Sequence, residues 1–290
     1  MRVLLLALTL IAVDTPASYR AQIERHRGDR LAELTAPNGW LAVAGLFWLN
    51  DGAHRAGSDP SSAIRLPPRA PKTIGVFTVK DRQITFAAEP SAGVTAAGAP
   101  VTSFTFEPQR GEQSAITVAG VTLFAIRRGD RLGLRMLDPD SAERKGFAGL
   151  KYFPLNAAYH VRAKFVPYEK PRTVPVPNVL GMLVPMESPG YVEFALKGRA
   201  YRLEPVYETP KHEDLFFMFK DLTSRTETYE AGRFLHTPLP SAGVVDLDFN
   251  RAYNPPCAFT AFATCPLPIK DNQLAVRIPA GELRHHSGAK

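Results

Sequence analysis

Between Asp221 and Cys265 the chain gathers the side chains best suited by type and spacing to do chemistry: Asp221, Thr228, Tyr229, Arg233, Asp248, Asn250, Tyr253 and Asn254, with the only two cysteines, Cys257 and Cys265. A guanidinium beside a carboxylate can grip a ligand or form a cross-strand ion pair. The strand pattern sets Arg233 beside Asp246 or Asp248 on a neighbouring strand. These eight side chains are the candidate ligand-binding set. Two carboxylates in environments that push their pKa values apart can also divide acid and base roles, which makes Asp221 or Asp248 the general base if the protein is a hydrolase. A third possibility is that every one of these polar groups is structural, with Asn250, Tyr253 and Asn254 capping a proline-rich turn.

The cysteines stand eight positions apart in NPPCAFTAFATCPLP. Two thiols at that separation can bridge across a tight loop in an oxidising compartment, worth about 2.6 kcal/mol in the chain-entropy estimate. Free thiols come second. A metal or a nucleophilic role comes last, because two further ligands, or a basic partner, are not visible nearby. No metal site and no cofactor is expected. The chain has no Gly-x-Ser-x-Gly elbow, phosphate loop, His-Glu-x-x-His or dinucleotide fingerprint.

The elements that must position these residues read as strands. Leu215–Lys220 alternates Phe217 and Phe219 on one face with Phe216 and Met218 on the other. Thr226–Leu235 reads as its return strand, after a turn at Thr223-Ser224-Arg225. Val244–Phe249 places Val245, Leu247 and Phe249 on one side and Asp246 and Asp248 on the other. Tyr191–Leu196 and Arg199–Val206 form a hairpin around Lys197-Gly198. Upstream, residues 167–189 carry six prolines in twenty-three positions. Proline lacks a donor, so this segment reads as extended and mostly unpaired, a connection or a sheet edge.

The front half breaks into short strand-like runs separated by turn signals every eight to twelve residues, the pattern of a sandwich. Trp40–Leu49 reads as a buried strand or a strand with a kink at Gly45, and Ser18–Leu34 as a surface helix. His26 reads as a half-exposed packing residue, His212-Glu213-Asp214 as a charged turn, and His285-His286 as a tail. The chain opens with one arginine and eleven apolar or small residues, Val3–Val13, as a secretory signal does. The fold class expected is mainly β, with two sandwich- or barrel-like units, the first fronted by one N-terminal helix. Its divisions are a signal peptide 1–17, a helix plus sandwich 18–166, the proline-rich connection 167–189, a C-terminal β unit 190–284 and a tail 285–290.

Composition supports a globular protein, with 45% hydrophobic and 22% charged residues among 290. The formal charge of +7 is scattered rather than concentrated, which argues against a nucleic-acid partner. No run after the signal is long enough to span a membrane. The expected setting is periplasmic or extracellular, with an unknown small ligand as partner.

FKDLTSRTETYEAGRFL, LDFNRAYNPPCAF and ATCPLPIKDNQLAVRIPAGE resemble the bacterial family catalogued as domain of unknown function 1684, and GLFWLNDG and GSDPSSAIRLP resemble its N-terminal part. The family pattern has glycine where this chain has Arg225. The resemblance implies no activity. Residues Gly57–Phe77 also resemble, weakly, the opening of a forkhead-associated β-sandwich. There Ala70-Pro71-Lys72-Thr73 replaces that family's Ser-Arg-x-His loop, so the resemblance implies a scaffold and not phosphopeptide binding. Function is therefore expected to be a non-catalytic module that binds a small or extracytoplasmic ligand at the C-terminal unit, with the hydrolase as the alternative.

Overall fold

The turn-punctuated front half closes into two facing sheets. A computed structural model describes residues 16–285. Strands β1 (Val43–Leu49), β2 (Gly52–Gly57), β3 (Ile64–Arg65), β4 (Gly75–Lys80), β5 (Gln83–Ala88), β6 (Thr95–Ala96), β7 (Ala99–Pro100), β8 (Ser103–Thr105), β9 (Ala115–Val118), β10 (Val121–Arg128) and β11 (Arg131–Leu137) make them. One sheet has the order β1-β11-β10-β9-β6-β7, the other β3-β2-β4-β5-β8. Inward residues such as Phe77, Phe86, Ile116, Leu123 and Leu134 are fully buried between them, at 0–2% exposure. The register of β1 against β11 shifts between Val43 and Gly45, a bulge where the kink was expected.

After the single-turn helix α2 (Ala142–Lys145), the second unit begins. Strands β12 (His160–Pro177), β13 (Leu183–Leu196) and β14 (Arg199–Leu203) form a meander that β17 (Val244–Asp248) completes, in the order β14-β13-β12-β17. Strands β15 (Asp214–Phe219) and β16 (Arg233–Pro238) pair as a separate hairpin. Both faces of β15 are covered, as its alternation requires. Phe217 and Phe219 join the core shared with Val245, Leu247 and Phe249, while Phe216 and Met218 pack with Val174, Val176 and Phe234 on the opposite side. Truncating one of these rings to alanine is expected to cost about 3–5 kcal/mol.

The proline-rich stretch is extended but not unpaired, and here the expectation is corrected. Arg172–Pro177 pairs with Leu183–Ser188 as the outer half of the β12–β13 ribbon, beyond a break in register after Pro167. Pro175 faces Pro185, so two missing donors fall on one rung and the ladder survives on either side. Gly190 sits at the break with φ 159, where a Cβ would lie 2.4 Å from the Val166 carbonyl oxygen; only glycine allows the strands so close. Arg225, where the family pattern has glycine, ends a 3₁₀ turn (Leu222–Arg225) without left-handed backbone.

Helix α1 (Pro16–Thr35) begins two residues before Ser18. It leads into the first sandwich, yet Tyr19 and Arg30 on it bond to residues of the second unit. Of the expected signal peptide 1–17, residues 1–15 lie outside the described residues and Pro16 and Ala17 open α1; residues 286–290 of the expected tail also lie outside them. Among the described residues no helix is long and apolar enough to cross a membrane.

Candidate functional site

The polar residues singled out by type and spacing do not meet in one place. Seven of the eight divide into three separate groups, and Tyr229 stands apart from them.

Arg233 and Asp221 form the first. Both side chains are 0% exposed, and Arg233 Nη2 donates to Asp221 Oδ1 at 3.1 Å. Arg233 also donates to the carbonyls of Ile278 (3.1 Å) and Ala280. Asp221 accepts from Thr223 Oγ1 at 2.7 Å and from the Ile278 amide at 2.6 Å. Thr228, fully buried, shares a hydroxyl bond with Thr223 at 3.0 Å. Burial pulls the Arg233 guanidinium below its ordinary range, and Asp221 opposes that. The guanidinium thus ties the turn after β15 to the C-terminal segment that crosses it. The expected pairing of Arg233 with Asp246 or Asp248 is corrected: Asp221 is nearer in the fold because its turn folds back under β16, while Asp246 points outward to His160 Nε2 at 2.5 Å.

Asp248 and Asn250 form the second group, and they hold helix α1. Tyr19 donates to both Asp248 oxygens, at 3.0 and 3.1 Å. Asn250 Nδ2 donates to Tyr19 Oη (3.0 Å) and to Asp248 Oδ1 (2.9 Å), and its backbone amide to the same oxygen (3.0 Å). Tyr19 stacks on His160 with centroids 5.1 Å apart. The His160 imidazole is raised above its usual range by the hydrogen bond to Asp246.

Asn254 and Tyr253 belong to the third, where α1 crosses the second unit again. Arg30, buried, donates to Glu282 Oε1 (3.3 Å) and to the Asn254 carbonyl (3.1 Å), and the Asn254 amide reaches Glu282 Oε2 at 2.8 Å. Arg30 also lies over the Tyr253 ring, 4.6 Å from its centroid. Burial pushes the Glu282 carboxyl up, and Arg30 works against that shift. Tyr229 stands apart, donating to the Cys257 carbonyl at 3.1 Å, with its phenol pushed up to about 12 by burial.

Of the eight, Tyr253 lines a cavity. This cavity of about 590 Å³ opens between α1, β16 and the loop after β17. Its walls are Trp40, Phe234, Tyr253, Pro256, His26 and His236, with Asp29, Arg30, Glu33, Glu208 and Arg251 around them. His26, Asp29, Arg30 and Glu33 reach it because positions i, i+3, i+4 and i+7 share one helix face. His236 is stacked on Phe216 (centroids 4.6 Å, 18° between planes) and lies parallel to Tyr253 at 6.1 Å. Its Nδ1 is 2.7 Å from Asp214 Oδ2, which leaves Nε2 on the other side, 3.7 Å from Glu208 Oε2. A carboxylate on one ring nitrogen fixes orientation and leaves the other for a partner.

The charges of this cavity are unevenly committed. Arg30 is taken by Glu282 and Asn254, and Arg251 by Asp248 at 3.4 Å. His26 contacts the Arg251 carbonyl at 3.3 Å, and burial lowers its pKa from the ordinary imidazole value, favouring the neutral ring. Glu208 keeps one contact, the 3.7 Å approach to His236; desolvation raises its carboxyl, Asp214 adds to that, and His236 opposes it. Carboxylates therefore outnumber uncommitted cations around aromatic walls. Among the described residues no group of three or more His, Cys, Asp or Glu side chains is placed to hold a metal ion.

Sequence reasoning passed over His236, Glu208 and Arg30, read His26 as packing, and read Asp214 as part of a charged turn, whereas it is the first residue of β15. The missing signal was register. With β16 starting at Arg233, Phe216 faces His236 and Asp214 faces Pro238, so Asp214 and His236 are diagonal neighbours.

Comparison with known proteins is sparse. Residues 145–283 match a family described as protein of unknown function (DUF1684). No curated protein matches. Among solved structures, the chain is similar to an uncharacterised protein of Haloarcula marismortui determined by solution NMR, with 30% identity over 50% of this chain and 82% of that one, TM-score 0.42. A structure from a study of phosphothreonine-dependent FHA domain interactions is similar at 14% identity over 32% of this chain and 92% of that one, TM-score 0.23.

Proposed function

The chain belongs to the DUF1684 family of proteins of unknown function, and we propose that it is a non-catalytic module binding a small molecule in the cavity between α1 and β16. The observation that supports this is the convergence of Trp40, Phe234, Tyr253 and His236 beside the carboxylates of Asp29, Glu33 and Glu208. Aromatic faces attract cations through their quadrupole, and each arginine at the cavity already has an acidic partner. The ligand is therefore a small molecule with an amine or guanidine group. A thermal-shift panel of small amines, guanidines and carboxylic acids tests this. The wild type should be stabilised by members of the first two groups, and Glu208→Gln should lose the response. A wild type that responds to none, or a variant that responds in full, removes the proposal.

We place the protein outside the cytoplasm, because an N-terminal arginine and an apolar run of signal length precede helix α1. A Cys257–Cys265 bridge belongs to the same reading. In the structure the two are free thiols. Mass comparison with and without reductant, on protein taken from its native compartment, checks the bridge.

A second reading, a hydrolase-like enzyme, is favoured by one observation. Asp214 on Nδ1 orients His236 so that Nε2 is available as a general base. Asp221 and Asp248 are poorer bases, since both are buried and hydrogen-bonded within the fold. Turnover of any ester or amide that disappears in His236→Gln, with the fold intact, would select this reading over binding alone.

A further inference from the structure

The segment that carries the two cysteines does not hang free. It is pressed against the first unit: Thr260 Oγ1 donates to the Val43 carbonyl at 2.9 Å, and Arg128 Nε on β10 donates to Thr264 Oγ1 at 2.9 Å. Within it the cysteines face each other. The Cys257 amide lies 3.1 Å from Cys265 Sγ, and the Cys265 amide 3.4 Å from Cys257 Sγ. Cys257 is half-buried and Cys265 buried.

Trp40 packs in the same cluster as the two cysteines, and over its ring, on β11, is Arg135. Its side chain is 7% exposed, and neither Nε nor Nη2 has a hydrogen-bond partner. It lies over Trp40, 5.1 Å from the ring centroid. Leaving a buried guanidinium with open donors costs stability, so a counter-charge that forms only at times is a reason to keep it. The basic partner that a reactive cysteine needs, absent from the neighbouring sequence, thus comes from the other unit.

We propose that Cys257 and Cys265 form a thiol–disulfide exchange site, in which Cys257 attacks a small-molecule disulfide, Cys265 resolves it, and Arg135 is the fixed cation near them. The Cys257 thiolate attacks one sulfur of the disulfide, that S–S bond breaks, and one thiolate leaves. Cys265 then gives up its proton to solvent and attacks Cys257 Sγ, expelling the second thiolate. The protein loses two electrons and two protons as its bridge forms, and the small disulfide becomes two thiols. The order follows from exposure, with Cys257 half-buried and open to a small disulfide and Cys265 buried behind it. The hydrogen bond from Cys265 lowers the Cys257 thiol against the burial that opposes it, with Arg135 adding the smallest lowering, whereas the same hydrogen bond and burial push Cys265 up. Arg128, Arg135 and the Tyr229 phenol are the titratable groups of other elements that feel these sulfurs. The site adjoins the ligand cavity through Trp40 and Pro256, and the bridge placed above is its oxidised end state.

The test uses the reduced full chain and oxidised glutathione, with samples alkylated at intervals and mapped by peptide mass. The wild type should pass through glutathione on Cys257 to a bridged form lighter than the dithiol by about 2 Da. Cys265→Ser should stop at the mixed disulfide on Cys257, and Cys257→Ser should leave Cys265 unmodified. Arg135→Met should slow the first step by about tenfold, and Arg135→Lys should largely restore it. Glutathione appearing first on Cys265, a wild type that stops at the mixed disulfide, or Arg135→Met reacting at the wild-type rate would overturn the proposal. If Arg135→Met does not fold, the pH profile of Cys257 alkylation in the wild type decides. Its midpoint should fall below the ordinary cysteine value of about 8.5; a midpoint at or above that value sinks the idea.

Discussion

On one face of β16, Arg233 and Leu235 turn into the core with Phe217 and Phe219; on the other, Phe234 and His236 turn towards α1. Arg233 and His236 are three residues apart, and each has an aspartate from the region of β15 as partner: Asp221 from its end, Asp214 from its start. Burial separates their roles. The Arg233–Asp221 pair is fully enclosed and bonded to the main chain of Ile278 and Ala280, so it can only hold the fold together. His236 is partly exposed and borders empty space. The lesson is that the density of polar residues in a sequence marks where a fold needs internal ties as readily as where it meets a ligand.

Breaking the enclosed side should have the largest effect. Arg233→Ala leaves Asp221 buried and unpaired, and is expected to cost about 3–5 kcal/mol in denaturant unfolding. The double change Asp221→Leu with Arg233→Met removes both charges and should recover much of that loss. If the single variant unfolds like the wild type, the enclosed pair is not the tie described. Next in size is the seam under α1. Tyr19→Phe deletes the hydroxyl shared by Asp248 and Asn250 and should cost about 2 kcal/mol, read from the same unfolding curves.

A smaller effect separates the faces by pH. The His26 pKa is lowered in the folded state, so the unfolded chain binds more protons between that folded value and about 6.5. Stability from this group is present above the unfolded value and is lost as pH falls through that window. Relative to His26→Gln, the wild type should therefore lose stability on going from about pH 7 to pH 5. The smallest effect on the fold is expected from Glu208→Gln, within about 0.5 kcal/mol, because Glu208 is exposed at the cavity mouth and has one long contact.

Much of this architecture was legible from local pattern. The alternation of Phe216 to Phe219 gave both faces of β15, and Val245, Leu247 and Phe249 gave the inward face of β17. Turn chemistry placed most strands of the front sandwich. What local pattern missed is physically long-range. Arg233 finds two of its acceptors at Ile278 and Ala280, about forty-five residues on, and no periodicity encodes that crossing. The return strand was set at Thr226–Leu235, whereas those first residues form the turn and β16 starts at Arg233, which hid His236. The cavity also needs α1, whose Arg30 meets residues more than two hundred positions away. The proline-rich ribbon was misjudged because a missing donor was counted at each proline, without the register that sets Pro175 against Pro185.

The most direct test of the division between the two faces is ligand binding measured calorimetrically in two variants. With the amine or guanidine that stabilises the wild type, the Asp221→Leu, Arg233→Met protein should bind with wild-type affinity once folded. Glu208→Gln, equally folded, should bind at least tenfold more weakly, a change of about 1.4 kcal/mol. The reverse result, with binding lost in the first and kept in the second, would place the functional site in the enclosed pair and contradict the account.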